Sequence, residues 1–213
     1  MNIDAFLHEN TELTAPPLVP ELKLHLAREV TALWQKTEAE LDRTGIAPPY
    51  WAFAWPGGQA LARHVIDHPA LVRGKRVLDV GAGSGLVALA AAKAGAQHVT
   101  AADIDPMAPA VIHRNALANG LRVEAAAMDA TMGEAPYDLI LIGDMFYERA
   151  LAERLLAWLT RLDAQVLIGD PGRSYFPKNG LLRLATYKVP TSRDLEDRDI
   201  CETGVWRRDS RLG

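Results

Sequence analysis

Three glycines and four aspartates, set at or near the ends of apolar runs, are the residues of this chain best suited to chemistry. In VLDVGAGSGLVALA, Val77 to Ala90, an aliphatic run carrying Asp79 leads into Gly81, Gly83 and Gly85, and small apolar residues at helical spacing follow. That pattern predicts strand, tight turn and helix. Glycines there let the backbone take positive φ or lie against a ligand at the carboxyl end of a strand. Asp79 is costly to bury alone, so it is expected to accept hydrogen bonds from the turn amides or from a ligand's ammonium. Asp103 ends the next apolar run, 18 residues beyond Gly85, where a carboxylate can accept from both hydroxyls of a ribose. Asp129 ends the third run and can accept from an adenine amine, although aspartates at strand ends are also turn formers. Asp105, followed by Pro106, reads as a helix cap. The chemistry implied is binding of an adenosine-bearing ligand. A dinucleotide fingerprint places its third glycine at the sixth position of the turn; here that position is Leu86, which disfavours a nicotinamide oxidoreductase.

A second set of residues faces the question of what reacts. Asp144 closes the very apolar run YDLILIG, and Phe146 and Tyr147 beside it offer aromatic surface and a hydroxyl at the strand-end rim. The alternative is a helix cap with both rings in the core. Upstream, PPYWAFAWPGGQAL, Pro48 to Leu61, predicts an irregular aromatic loop over the ligand crevice, with Trp51 and Trp55 placed to stack on a ligand or simply to pack. Pro48, Pro49 and Tyr50 invite comparison with the Pro-Pro-Tyr signature of enzymes that methylate nucleobase amino groups. That signature belongs after the fourth strand, where this chain has GDMFY.

The elements needed to position these residues alternate along the chain. An amphipathic helix is expected from Pro20 to Thr44, with Leu22, Leu26, Val30, Leu33, Trp34 and Leu41 on one face, and a second at Gln59 to His68. Strands are expected at Arg76–Val80, His98–Asp103, Arg122–Met128, Tyr137–Gly143 and Gln165–Gly169. Helices fall after Gly85, at Pro106–Asn119 and at Ala150–Leu162. Leu181–Val189 and Gly204–Arg208 read as a terminal antiparallel pair with no helix between them. The expectation is an α/β fold: a Rossmann-like sheet of about seven strands, mostly parallel, with helices on both faces.

With 213 residues, 49% hydrophobic and 23% charged, the chain reads as a single domain, 1–213, with a helical cover at 20–45 and a cofactor-binding core at 46–213. The net charge of −4 and the lack of a long basic run argue against a nucleic-acid partner and suit a cationic protein substrate. Cys201 is the sole cysteine and the six histidines are scattered, so neither an intrachain disulfide nor a metal is expected. The start, MNIDAFLHEN, shows no secretory pattern, and no run is long enough to span a membrane; a cytoplasmic monomer is the expectation.

Taken together, PPYWAFAWPGGQAL, VLDVGAGSG, ADIDP, LIGDMFYE, LIGDPGR and GVW resemble the electron transfer flavoprotein beta subunit lysine methyltransferases, within the seven-strand class I S-adenosylmethionine-dependent methyltransferases. The resemblance runs from about Pro20 to Trp206 and implies S-adenosylmethionine as cofactor, S-adenosylhomocysteine as product and lysines of that flavoprotein subunit as acceptors. It implies cofactor contacts at Trp55, Gly58, Gln59, Gly81, Gly83, Gly85, Asp103 and Asp129, beside the Asp79 already read from the turn. An aspartate-x-x-tyrosine element important for activity falls on Asp144 and Tyr147, with Trp51 and Phe146 expected on the substrate side. Eukaryotic members are mitochondrial; lacking an acid-poor transit segment, this chain reads as a bacterial form with a cytosolic substrate. Other readings stay open: a ribosomal-protein lysine or small amine as acceptor, an oxidoreductase, or a binding protein that has lost its chemistry.

Overall fold

Strands whose residues are apolar on both sides need cover on both faces, and this chain supplies it with helices above and below a central parallel sheet. The structure, a computed structural model, describes residues 3–28, 48–134, 136–191 and 193–208. Helix α1 (Ile3–Asn10) and the hairpin β1 (Thr11–Thr14) and β2 (Leu24–Ala27) form an N-terminal outwork. The core follows as α2 (Pro56–Asp67), β3 (Arg76–Val80), α3 (Leu86–Lys93), β4 (His98–Asp103), α4 (Ala108–Ala118), β5 (Glu124–Ala127), β6 (Leu139–Gly143), α5 (Arg149–Leu159), β7 (Gln165–Asp170), β8 (Leu181–Pro190), α6 (Arg193–Glu196) and β9 (Ile200–Arg208). Seven of these strands make one sheet in the order β5-β4-β3-β6-β7-β9-β8. Neighbours from β5 to β7 pair in parallel, and β9 runs antiparallel to both β7 and β8. The terminal antiparallel pair expected from the sequence is present.

Strand period two sorts the core into two layers. Val77, Leu139, Leu141 and Leu167 pack with Leu61, Val65, Val87, Leu89 and Ile112 on the α2–α3–α4 face. Leu78, Val80, Ile140, Ile142 and Ile168 pack with Leu155, Trp158 and Leu159 of α5 on the other. Full burial of each such side chain contributes about 1.5–3 kcal/mol, enough collectively to fix the strand ends that carry the aspartates.

The N-terminal segment differs from expectation. Residues 20–28 form a turn and then β2, which pairs with Thr11–Thr14, rather than the first turns of a helix from Pro20. The remainder of that expected helix lies outside the described residues. Val19, Leu22 and Leu24 are fully buried in the main core, and the His25 amide donates to Asn115 Oδ1 while Asn115 Nδ2 donates to the Ser84 carbonyl. The hairpin is thereby tied to the glycine turn through one asparagine. A further difference is α6, one turn of helix between β8 and β9 where none was expected.

The first turn of helix α2 approaches the sheet through glycines. A Cβ on Gly143 would lie 3.0 Å from the Cα of Gly58, and one on Gly57 would lie 2.5 Å from Asp144 Oδ2 and closer still to the Gly169 carbonyl oxygen. Gly57→Ala is therefore expected to lower stability by about 1–3 kcal/mol, read as a fall in the thermal unfolding midpoint. An unchanged midpoint would contradict this close approach.

Candidate active site

All the strands from β3 to β7 end on one edge of the sheet, and the residues following them wall a cleft that opens to solvent. One wall is the glycine turn. Gly81 and Gly83 have φ of +66° and +52°, and the Met145 side chain packs on Gly81 where a Cβ would collide with its sulfur, so this wall is glycine backbone with one thioether laid against it. Gly85, φ +79°, stands apart from the lining: it begins α3 against Ile112 and gives the turn its shape.

Asp103 borders the cleft at the end of β4. Its Oδ2 accepts from the Gly83 amide at 2.7 Å and its Oδ1 from the Asp105 amide at 2.9 Å, which leaves each oxygen a lone pair for a further donor. Asp105, expected as the helix cap, accepts from the Met107 amide at 2.8 Å in the turn before α4, whose cap position is Met107 and carries no side-chain cap bond. Asp129 also lines the cleft, but Oδ1 is occupied by the amide and hydroxyl of Thr131, and Oδ2 faces Arg154 at 3.5 Å. Its capping role is plain; Oδ2 is the oxygen with capacity for a ligand.

Asp79 is 2% exposed on the α3 side of β3 and accepts from the Ala88 amide at 2.9 Å. Burial pushes its carboxyl up to about 8, the amide opposes this, and the charge of Asp103 adds a smaller upward push. Between about pH 4 and pH 8 the folded chain therefore keeps a proton that the unfolded chain has released, and the contribution of this group to stability falls as pH rises across that window. Asp79→Asn preserves the acceptor for Ala88 and removes the titration. Its stability relative to the parent protein is expected to rise with pH from 5 to 8, by up to about 1.4 kcal/mol per unit, in pH-stepped unfolding of the ligand-free protein. A constant difference would contradict the assignment.

The opposite wall is built on Asp144. This residue has a left-handed backbone, φ +56°, tolerated by aspartate better than by most side chains, and is 7% exposed. Its Oδ2 accepts from the Gly58 amide at 2.9 Å. Trp55, which precedes α2, makes no side-chain cap, so a carboxylate 86 positions beyond Gly58 satisfies the helix start and sits in its positive dipole. Its Oδ1 accepts from Arg173 Nη2 at 2.8 Å and Nε at 3.2 Å. Burial raises the Asp144 carboxyl above the ordinary carboxylate range, with Arg173 and the Gly58 amide pulling it back down.

Two exposed aromatic rings line the same cleft. Tyr147 and Tyr50, 44% and 39% exposed, lie 5.7 Å apart between centroids, and Tyr50 is 5.9 Å from Trp55. Burial of the hydroxyl pushes Tyr147 up to about 12, with Tyr50 and nearby carboxylates adding to it, so it stays protonated. The aromatic loop is held by Trp55 Nε1 donating to the Tyr50 carbonyl at 2.9 Å, and by Gln59, whose amide spans from the Ala54 carbonyl to the Leu18 amide.

Most expected site residues converge on the cleft and its side recess: Trp55, Gly58, Asp79, Gly81, Gly83, Asp103, Asp129, Asp144 and Tyr147. Gln59 does not reach the lining and acts as a brace. Phe146, expected on the substrate side, is fully buried and edge-on to Phe176 in the α5-side core. Trp51 borders the cleft, yet its ring is 2% exposed and packs edge-on to Phe6. In both cases a large ring gains more from the core than from the rim. Sequence reasoning passed over Tyr50, which lay in a motif set aside, and Arg173, whose signal was only its place in LIGDPGR.

A seven-stranded sheet in this order, with a glycine turn after its first core strand and acids at successive strand ends, is the class I methyltransferase fold. A profile described as ribosomal protein L11 methyltransferase matches residues 63–143. Magnesium protoporphyrin IX methyltransferase from Synechocystis PCC 6803, solved with bound S-adenosylmethionine, superimposes with a TM-score of 0.54 at 17% identity, covering 72% of this chain and 80% of that one. The electron transfer flavoprotein beta subunit lysine methyltransferase of Xenopus laevis is 40% identical over 95% of this chain and 85% of its own length. The human enzyme of the same name is 38% identical over 96% and 81%. The chain belongs to the electron transfer flavoprotein beta subunit lysine methyltransferase family. Among the described residues no helix is long and apolar enough to cross a membrane.

Proposed function

We propose that this methyltransferase transfers the methyl group of S-adenosylmethionine to lysine side chains of the electron transfer flavoprotein beta subunit, and that Asp144 and Tyr147 form the acceptor side. The observation that carries this is the division of one cleft between two walls: glycine backbone with Asp103 on one, and a buried carboxylate, Asp144, with the exposed Tyr50–Tyr147 pair in the same lining on the other. The first wall fits the cofactor. Asp103 would hold the ribose hydroxyls, the Gly81–Gly83 turn the methionine moiety, Asp79 its ammonium, and Asp129 Oδ2 the adenine amine. S-adenosylmethionine supplies an electrophilic methyl when bound; everything else falls to the protein.

A lysine with pKa near 10.4 is neutral in only about one molecule in several thousand at pH 7. The enzyme must therefore collect the ammonium, strip its proton and align the amine. Asp144 attracts and orients the ammonium, and the proton leaves to Asp144 or through water to bulk. Tyr50 and Tyr147 line the aliphatic stem and shed water from the amine, which favours its neutral form. The profile match to ribosomal protein L11 methyltransferases supports a second reading, a ribosomal protein as acceptor. Labelled cofactor offered with equal amounts of flavoprotein beta subunit and ribosomal protein L11 tests the proposal: label is expected on the former, and label confined to L11 would overturn the acceptor. Stabilisation by nicotinamide dinucleotides but not S-adenosylhomocysteine would overturn the cofactor.

A further inference from the structure

Arg173 has no assigned role, yet the acceptor wall is assembled around it. It follows β7 in a loop that Asp170 closes by accepting from the Gly172 and Arg173 amides, both at 2.7 Å. Its guanidinium uses both of its forks. The Nε–Nη2 edge meets Asp144 Oδ1, and the Nη1–Nη2 edge meets the two oxygens of Glu196 on α6. The same group lies 5.7 Å from the centre of the Trp55 ring, and its side chain is 20% exposed, against 8% and 9% for Asp144 and Glu196. Four separate elements, the Trp55 loop, the end of β6, the loop after β7 and α6, meet on this one cation.

The charge does not balance. Asp144 and Glu196 share a single guanidinium, while Asp170, which holds the Arg173 amide, has its Oδ2 buried with no hydrogen-bond partner among the described residues. Such a cluster holds its acids ionised only at a cost, and a second cation arriving at Asp144 relieves it. A lysine ammonium entering past Tyr50 and Tyr147 is that cation.

We propose that Arg173 is the positioning residue of the acceptor side: it fixes the Asp144 carboxylate in place against the head of α2, and with Glu196 it sets the negative excess that selects a cationic side chain. This rests on the acceptor being a lysine amine. A planar fork is required, because lysine at this position offers a point charge and cannot hold both carboxylates edge-on. Burial raises the Asp144 carboxyl, Arg173 lowers it and Glu196 raises it, so the two neighbours act in opposite senses. The charged groups bearing on Asp144 are these two and Asp170, whose own carboxyl burial pushes up to about 7.

The test is the titration of Asp144 by carboxyl carbon NMR in the full chain with S-adenosylhomocysteine bound, which needs no acceptor, alongside the acid limb of the rate profile for methyl transfer. Arg173→Gln is expected to move both toward alkaline pH by about one unit or more, and Glu196→Gln to move both toward acid pH. Arg173→Gln is also expected to raise KM for the protein acceptor about tenfold with cofactor affinity unchanged. If Arg173→Gln does not fold, the acid-ward shift in Glu196→Gln decides alone. No shift, or shifts of the same sign, would reduce Arg173 to a structural clamp and overturn the proposal. Opposite NMR shifts in a protein that methylates no lysine would sustain the electrostatic role and remove the acceptor reading instead.

Discussion

Replacing Asp103 with alanine is expected to raise the dissociation constant for S-adenosylhomocysteine about a hundredfold. Two losses add. A charged acceptor of the ribose hydroxyls disappears, and the Gly83 and Asp105 amides that the carboxylate holds lose their partner, which loosens the glycine wall itself. A hydrogen bond to a charged group contributes about 1.5–3 kcal/mol, so the pair of effects reaches about 3 kcal/mol, or a factor near one hundred. Asp103→Asn keeps one acceptor and is expected to fall between. Titration calorimetry reads both directly, and affinity within threefold of the parent protein would remove the ribose assignment.

Replacing Asp144 with asparagine is expected to slow methyl transfer by about a hundredfold to a thousandfold while cofactor affinity changes little. Asparagine tolerates the left-handed backbone as well as aspartate does, and its oxygen can still accept from the Gly58 amide. What it lacks is the charge. Arg173 would then face Glu196 alone, and the arriving ammonium would meet a neutral amide beside a guanidinium, which repels it. The loss should therefore fall on both KM for the acceptor and kcat. Single-turnover rates with saturating cofactor separate this from a cofactor defect; a rate within a few-fold of the parent protein would place the acceptor chemistry elsewhere.

The glycine turn, the strand-end acids and the sheet were legible in the sequence because each depends on local pattern: period two in the strands, three glycines in five residues, an acid at each carboxyl end. Asp103 could be placed from spacing alone. The partnership of Asp144 with Arg173 could not, since it joins two loops 29 positions apart, and no local rule predicts which carboxylate a guanidinium will reach. The aromatic loop announced burial without saying which ring would be buried. A turn of tight helix at Tyr50–Ala52 settles that, sending Trp51 inward and leaving Tyr50 at the mouth. Pro20 to Ala27 misled for a related reason: leucines at 22, 24 and 26 satisfy a strand as well as a helix, and pairing with Thr11–Thr14 decides between them.

Mass spectrometry of the electron transfer flavoprotein beta subunit after incubation with this enzyme and S-adenosylmethionine tests the central claim most directly. Added methyl groups are expected, localised to lysine side chains, absent without cofactor and nearly absent with Asp144→Asn. A subunit that stays unmodified while the enzyme binds S-adenosylhomocysteine normally would contradict the assigned acceptor.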